Sequence, residues 1–373
     1  MATCAADLFP FEPDLSKAQT PPAPFYLDGA LFEAEKARLF GRTWQWAGHA
    51  SDVAKPGDFL ASEIGGEPLV LVRDAERALG AFSNVCRHRG SIVACGKGNR
   101  RSLQCPYHGW TYGLDGALLA APEFDGVRDF DKASVRLPPF RAETWGPFAF
   151  ANLSAEGPTL PEVLAGIPDE IARLRCDLSR LRFHSRKDYP VRCNWKVYVD
   201  NFLEGYHVPT AHPSLLRELD MDRYRVDTFR FHSSQFAPLK PGKGGESRRY
   251  GDPDTSAGAL YYWVFPNWML NVYPDNLSLN VVLPLGPEEC LVVFEWYFFE
   301  GTQNLERTAE KTIAFSDEIQ REDMEICERV QRGLRSSRYT RGRYSVRREN
   351  GVHHFHGLVH EFLASEARDR TPR

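Results

Sequence analysis

Two cysteine/histidine pairs stand in the first half of the chain: Cys86 and His88 in Asn84-Val-Cys-Arg-His-Arg-Gly90, then Cys105 and His108 in Cys105-Pro-Tyr-His-Gly-Trp110. A thiolate and an imidazole separated by one or two residues reach a shared site from one turn, and two such turns supply four ligands. Structural zinc sites commonly pair Cys with Cys and His with His, whereas here each loop gives one of each. That division suits a 2Fe–2S cluster in which two cysteines hold one iron and two histidines the other. Imidazole in place of thiolate removes negative charge and raises the reduction potential, so such a cluster takes electrons from a ferredoxin-like or flavin donor. Zinc is the alternative occupant. Cys95, between the loops and without a matching partner, reads as a small buried thiol.

A second set of donors lies in Asp200-Asn-Phe-Leu-Glu-Gly-Tyr-His207-Val-Pro-Thr-Ala-His212-Pro213. On one helix Asp200, Glu204 and His207 share a face, and His212 points elsewhere. Pro209 disfavours a continuous ladder, so a break between the histidines would swing His212 back toward His207. Two histidines then need a carboxylate to complete the triad of a non-haem Fe(II) oxygenase, which leaves positions open for oxygen. The helix expected from Asn304 to Leu334 carries a mainly apolar stripe through Leu305, Ala309, Ile313, Ile319, Cys327, Val330 and Leu334, with Asp323 in its middle. A carboxylate on a buried face demands a cation or a hydrogen-bond donor, and a buried Arg is the alternative partner. The helix's other acids, Asp317, Glu322 and Glu328 among them, fall off the stripe and read as a solvated face.

The elements that must hold these residues follow from length and pattern. At 373 residues with 42% hydrophobic side chains, the chain is long enough for two cores, and a net charge of -4 gives no reason to expect nucleic acid. The most apolar stretches, Leu260 to Tyr273 and Leu291 to Phe299, are interrupted by Pro266, Asn267, Asn271 and Glu295 and are too short to cross a bilayer. Met1 to Pro10 lacks a basic start and an apolar run, so the expected location is the cytoplasm. Eight cysteines are too few for a disulfide scaffold and read as thiols or metal ligands. Residues 1–25 suggest an extended arm and Asp28 to Phe40 a short helix. From Thr43 to Asn152 short alternating runs between Gly, Pro and Asp turns predict a small all-β domain. Residues 160–176 look helical. Beyond Arg180, strands at Leu260–Val264, Leu277–Pro284 and Leu291–Phe299, with helices near 194–206 and 304–334, predict an antiparallel sheet with helices on one side. Pro238 to Gly245 reads as a loop. Val352-His-His-Phe-His356 alternates as a strand, its histidines hydrogen-bonding rather than ligating. The Arg-rich stretch Arg332 to Arg348 reads as a solvated or inter-subunit surface, or as a docking patch for an acidic reductase.

The strings CRHRG and CPYHGWTY resemble those of the Rieske domains of ring-hydroxylating oxygenase alpha subunits. DNFLEGYHVPTAHP is similar to the iron-binding segment of Rieske non-haem iron oxygenases, and QREDMEICERVQRGL to their helix carrying the third ligand. The resemblance spans Phe40 to Phe362. It implies an α+β fold: an all-beta Rieske 2Fe-2S domain at 43–155, a helix-grip catalytic domain with an antiparallel sheet at 156–373, and an arm at 1–42 packing on the latter. The implied cluster ligands are Cys86, His88, Cys105 and His108, and the implied mononuclear iron ligands His207, His212 and Asp323. The resemblance further implies that electrons pass from NAD(P)H through a flavin/iron-sulfur reductase to the cluster, then from His108 through Glu204 to His207 of a neighbour in a head-to-tail homotrimer. Many ring-hydroxylating members carry Asp where this chain has Glu204. A glutamate there resembles the branch acting on quaternary ammonium compounds, so hydroxylation with N- or O-demethylation is favoured over aromatic dihydroxylation. Asp200 is the rival bridge. Tyr206, Tyr262, Phe265 and Trp268, with Tyr261 and Trp263 beside them, are the expected pocket walls, whose faces would suit a methylammonium group. A Rieske electron-transfer protein without oxygenase activity is the remaining alternative, and the second motif argues against it.

Overall fold

Alternating short runs bounded by glycines fold into sheets because each run buries one side and wets the other. The structure, a computed structural model, describes residues 9–173, 176–240, 258–273 and 276–364. The chain divides into two compact units, residues 40–160 and residues 1–39 with 161–373.

In the first unit ten strands follow one another: β1 (Gln45–His49), β2 (Asp58–Ile64), β3 (Glu67–Arg73), β4 (Leu79–Ser83), β5 (Lys97–Asn99), β6 (Leu103–Gln104), β7 (Thr111–Tyr112), β8 (Leu118–Ala120), β9 (Pro139–Trp145) and β10 (Phe148–Asn152). Seven form a sheet of order β1-β10-β9-β4-β3-β2-β5, and β6-β7-β8 form a small one. The core that holds Cys86 and Cys105 packs Phe59, Val70, Val72, Leu103, Trp110, Tyr112 and Leu137. Cys95 is exposed, contrary to expectation, because Val93 and Ala94 take the inward positions before β5 begins.

The second unit begins with α1 (Pro24–Leu27) and α2 (Gly29–Arg38), the latter capped by Asp28, whose side chain accepts from Leu31 N–H at 2.9 Å. After the first unit come α3 (Leu160–Val163), α4 (Ile167–Arg173), β11 (Leu181–Val191), α5 (Trp195–Phe202), α6 (Val208–Ala211), α7 (Pro213–Glu218), β12 (Arg225–Thr228) and β13 (His232–Pro238). Then follow β14 (Gly258–Val264), β15 (Trp268–Val272), β16 (Asn276–Gly286), β17 (Glu289–Phe299), α8 (Leu305–Leu334) and α9 (Asn350–Ala364). The seven strands form one antiparallel sheet, order β11-β17-β16-β15-β14-β13-β12. The loop expected from Pro238 to Gly245 lies outside the described residues from 241 onward, as do the arm's first eight residues and residues 174–175 of the 160–176 helical stretch.

Three expectations are corrected here. Val352 to His356 lies in α9, not in a strand. Five residues cannot separate a period of 2 from 3.6, but the longer set Val352, Phe355, Val359 and Leu363, all buried, follows the helical period. Helices do not keep to one side of the sheet: Trp263 meets Phe355 of α9, while its neighbour Tyr262, on the opposite face by the pleat, bonds Glu170 of α4 at 2.7 Å. On α8 the solvated face is narrower than expected. Asp317 is buried, receiving hydrogen bonds from Lys187, Tyr189 and Arg321, and Val330 of the apolar stripe is exposed.

A buried ion pair ties the N-terminal helix to the element that carries the site. Glu35 of α2 and Lys196 of α5, both fully buried, meet at 2.5 Å, and Trp195 Nε1 donates to the same carboxylate at 2.8 Å. Among the described residues no helix is long and apolar enough to cross a membrane.

Candidate functional site

Two loops of the first unit are built on the same plan. Cys86 C=O accepts from Gly90 N–H at 3.0 Å, and Cys105 C=O from Gly109 N–H at 3.1 Å. Both glycines have positive φ, 74° and 72°, where a side chain would strain the backbone. Each turn buries its cysteine in the core and turns its histidine outward; the His88 and His108 rings lie 4.7 Å apart, centroid to centroid. Trp110 stacks on His88 at 5.0 Å. The Tyr112 hydroxyl accepts from Arg87 N–H at 2.9 Å and sits 3.3 Å from Cys86 Sγ, placed to donate to it. Burial first, and the neighbouring thiol second, push that phenol above its usual range. Two thiols inside and two imidazoles toward the surface fit a 2Fe–2S cluster of mixed ligation.

In the second unit α5 ends at Phe202, so Glu204 and His207 are not on the face of Asp200. The chain turns through residues 203–207, where Gly205 is required by packing: a Cβ there would meet the Tyr224 ring at 2.7 Å. Pro209 sits in the first turn of α6 rather than breaking a helix, and the direction changes before His207 and again at His212, which caps α6 with φ -120° and ψ 75°. The outcome is the expected one by a different route. His207 Nε2 and His212 Nε2 lie 3.1 Å apart, and Asp323 Oδ1 is 3.0 Å from the latter and 3.7 Å from the former. Ligand atoms about 2.1 Å from one ion and at right angles would be about 3.0 Å apart, so the three suit a single first-row metal.

Both rings are oriented by carboxylates. His207 Nδ1 bonds Glu204 Oε1 at 2.6 Å, and His212 Nδ1 bonds Glu322 Oε2 at 2.7 Å, which turns each Nε2 toward the metal position. Asn201 Nδ2 donates to Asp323 Oδ1 at 2.7 Å. Burial opposes charging of His212, but the Asp323 and Glu322 carboxylates outweigh it and hold its pKa above the usual histidine value. A divalent cation would neutralise the same negative charge. A cavity of about 200 Å³ opens on these donors, walled by Tyr198, Tyr261, Tyr273, Phe294 and Trp296 and including Glu204 and Glu218.

Residues 178–365 match the family model for the ring hydroxylating alpha subunit (catalytic domain), and residues 43–131 match that for the Rieske [2Fe-2S] domain. The chain belongs to the Rieske oxygenase alpha-subunit family. It is 36% identical over 360 residues to chloroplastic choline monooxygenase of Arabidopsis thaliana, covering 94% of this chain and 84% of the relative. Against the carnitine monooxygenase oxygenase subunit of Escherichia coli (strain K12) the identity is 33%, covering 92% and 93%. The crystal structure of the quaternary ammonium Rieske monooxygenase CntA in complex with an inhibitor superimposes with a TM-score of 0.81 at 29% identity, covering 93% and 96%. The cofactors of this Rieske oxygenase are therefore a Rieske 2Fe-2S cluster and a mononuclear non-haem iron that uses O2.

Of the expected pocket residues only Tyr261 lines the cavity of the Rieske oxygenase. Tyr262, Phe265 and Trp268 are buried elsewhere, and Tyr206 is 60% exposed. The pleat decides this for the first: Tyr261 faces the cavity, so Tyr262 faces α4. Phe265 packs on Phe362 beyond the end of β14. Asp200 also turns away from the donors; Tyr26 Oη donates to it at 2.7 Å, and His356 Nε2 lies 2.9 Å from its other oxygen. Asn201, Glu322 and Trp296 are among the residues of the site that were missed. Asn201 and Glu322 each adjoin a recognised residue, but only the packing of α5 on α8 discloses the first and the place of His212 the second, and Trp296 was hidden in a largely apolar run.

Proposed function

We propose that this Rieske oxygenase hydroxylates a carbon attached to the nitrogen of a small quaternary ammonium compound, with electrons from an NAD(P)H-dependent flavin/iron-sulfur reductase. The observation that carries this is the cavity. Its aromatic walls favour a permanent cation, and Glu218 adds a carboxylate apart from the metal donors. Each aromatic face contributes about 0.5–2 kcal/mol toward such a group. The relatives named for choline and carnitine support the same class.

The iron would be held by His207, His212 and Asp323, and the cluster by Cys86, His88, Cys105 and His108. When bound, the two centres supply single electrons and activation of O2. The protein's own residues do the rest. Glu204 and Glu322 fix the rings of His207 and His212, and Asn201 holds Asp323 against rotation. The cavity walls exclude water and hold the ammonium so that one carbon faces the donors. Hydroxylation consumes one O2, two electrons and two protons and releases water; the N–C–OH product then collapses to an aldehyde and a dealkylated amine.

Glu204, not Asp200, is the proposed bridge for electrons, because its carboxylate bonds a metal-binding ring while Asp200 is taken up by Tyr26 and His356. The exposed His108 would deliver them to Glu204 of the next subunit in a head-to-tail trimer. The proposed compartment is the cytoplasm, the source of NAD(P)H.

The test is a substrate screen with a surrogate reductase, covering methylated amines, betaines, aryl methyl ethers and aromatic acids, and reading aldehyde release and hydroxylated product. Turnover of quaternary ammonium compounds is expected. Turnover of aromatic acids alone would overturn the proposal.

A further inference from the structure

Strands buried on both faces favour Val, Leu and aromatic residues, yet β16 presents Asn276, Ser278 and Asn280 on one face, all at most 4% exposed. The register sets Ser278 between Asn271 of β15 and Trp296 of β17, and Asn280 beside Phe294. All of these line the cavity. Gln320 of α8, 1% exposed, also lines the cavity, and its Oε1 accepts from the Tyr198 hydroxyl.

The amides are incompletely used. Asn271 Nδ2 donates to Ser278 Oγ at 3.1 Å, but Asn271 Oδ1, Asn280 Oδ1 and Gln320 Nε2 have no hydrogen-bond partner among the described residues. A buried amide atom left unpaired costs about 1–3 kcal/mol, which Val or Leu at these positions would avoid. Three in one cavity point to a ligand that restores the bonds.

The chemistry selects the ligand group. Amide oxygens accept and amide nitrogens donate, so whichever way each side chain is turned the set offers both. A hydroxyl, donor and acceptor at once, satisfies it. A carboxylate only accepts, so amide oxygens beside it would stay unpaired, and Glu218 lines the same cavity. A quaternary nitrogen has no N–H and can use none of these atoms.

We propose that Asn271, Asn280 and Gln320 form a hydroxyl-reading subsite, which selects quaternary ammonium alcohols over quaternary ammonium carboxylates. The inference rests on the function proposed above and narrows its substrate class.

The experiment measures dissociation constants on the holoenzyme, by calorimetry and by quenching of tryptophan fluorescence, for choline, ethyltrimethylammonium and glycine betaine. Choline is expected to bind about tenfold more tightly than ethyltrimethylammonium, which lacks only the hydroxyl, and glycine betaine most weakly. Asn280→Leu and Gln320→Met should each erase the advantage of choline and leave ethyltrimethylammonium within about twofold. Equal binding of choline and ethyltrimethylammonium by the native enzyme overturns the subsite without any variant, as does tightest binding of glycine betaine. Equal losses for both ligands in folded variants also overturn it. If none of the three binds, the quaternary ammonium reading itself fails, a result distinct from the others.

Discussion

Glu322→Ala removes the carboxylate that holds His212 Nδ1 at 2.7 Å. Loss of such an orienting partner lowers metal affinity about 10- to 100-fold, or roughly 1.4–2.7 kcal/mol. The surroundings set the position within that range. The His212 side chain is only 2% exposed, so water has little access to take the place of Glu322, and the ring gains freedom to rotate its Nε2 away from Asp323. The expected loss is therefore near the upper end. Glu322→Gln keeps an acceptor and should lose only about threefold. The assay is the ratio of mononuclear iron to cluster after gel filtration, with Fe(II) affinity from chelator competition. Because the cluster ligands belong to the other compact unit, the Rieske spectrum should remain in both variants. Unchanged iron affinity in Glu322→Ala would refute the reasoning, and so would parallel loss of the cluster, which would mean general unfolding.

Glu204→Gln should retain both metals and slow oxidation of the cluster in a single turnover, since the amide still bonds His207 but carries no charge; a normal rate would return the bridge to Asp200 or another path. Glu35→Ala leaves the Lys196 ammonium buried without a counter-charge and should cost about 3–5 kcal/mol, read as a lower denaturant midpoint, whereas Glu35→Leu with Lys196→Met should cost only the roughly 1–3 kcal/mol of the Trp195 N–H left without its acceptor. Burial pushes His232 and His354 down to about 4 from the usual 6.5. Between those values the unfolded chain binds more protons, so their stabilising contribution is full above pH 6.5 and is lost as the pH falls toward 4. Thermal unfolding across that window should show a flatter pH slope in His354→Gln, and an unchanged slope would discount these rings.

The cluster loops were legible because their ligands are neighbours in sequence and their glycines answer a local backbone need, seen in the φ values of Gly90 and Gly109. Asp323 was legible for a different reason: a carboxylate on an apolar helical stripe is out of place unless something pairs with it. The same stripe misjudged Glu322, although the two are neighbours in the chain. Successive helix positions differ by about 100°, so Glu322 leans from the edge of the face that Asp323 occupies, and the deciding fact is where α6 sets His212. No pattern within α8 contains that fact.

The aromatic walls show the same limit in a strand. Tyr261 and Tyr262 are equal candidates by type, and the parity that separates them is fixed only when β14 pairs with Gln235 and Ser234 of β13 and Asn271 and Leu270 of β15. Once parity is known, its consequence runs across the sheet. The face bearing Tyr261 also bears Asn271, Ser278 and Trp296, since cross-strand partners share a side. Cavity chemistry therefore belongs to the register and not to any one strand. A one-residue slip of β16 would replace Asn276, Ser278 and Asn280 with Leu277, Leu279 and Val281, removing the polar groups this strand gives the floor while leaving the metal donors in place. Substrate recognition and metal binding thus depend on different parts of the fold, so relatives can keep the metal site while changing what the floor recognises.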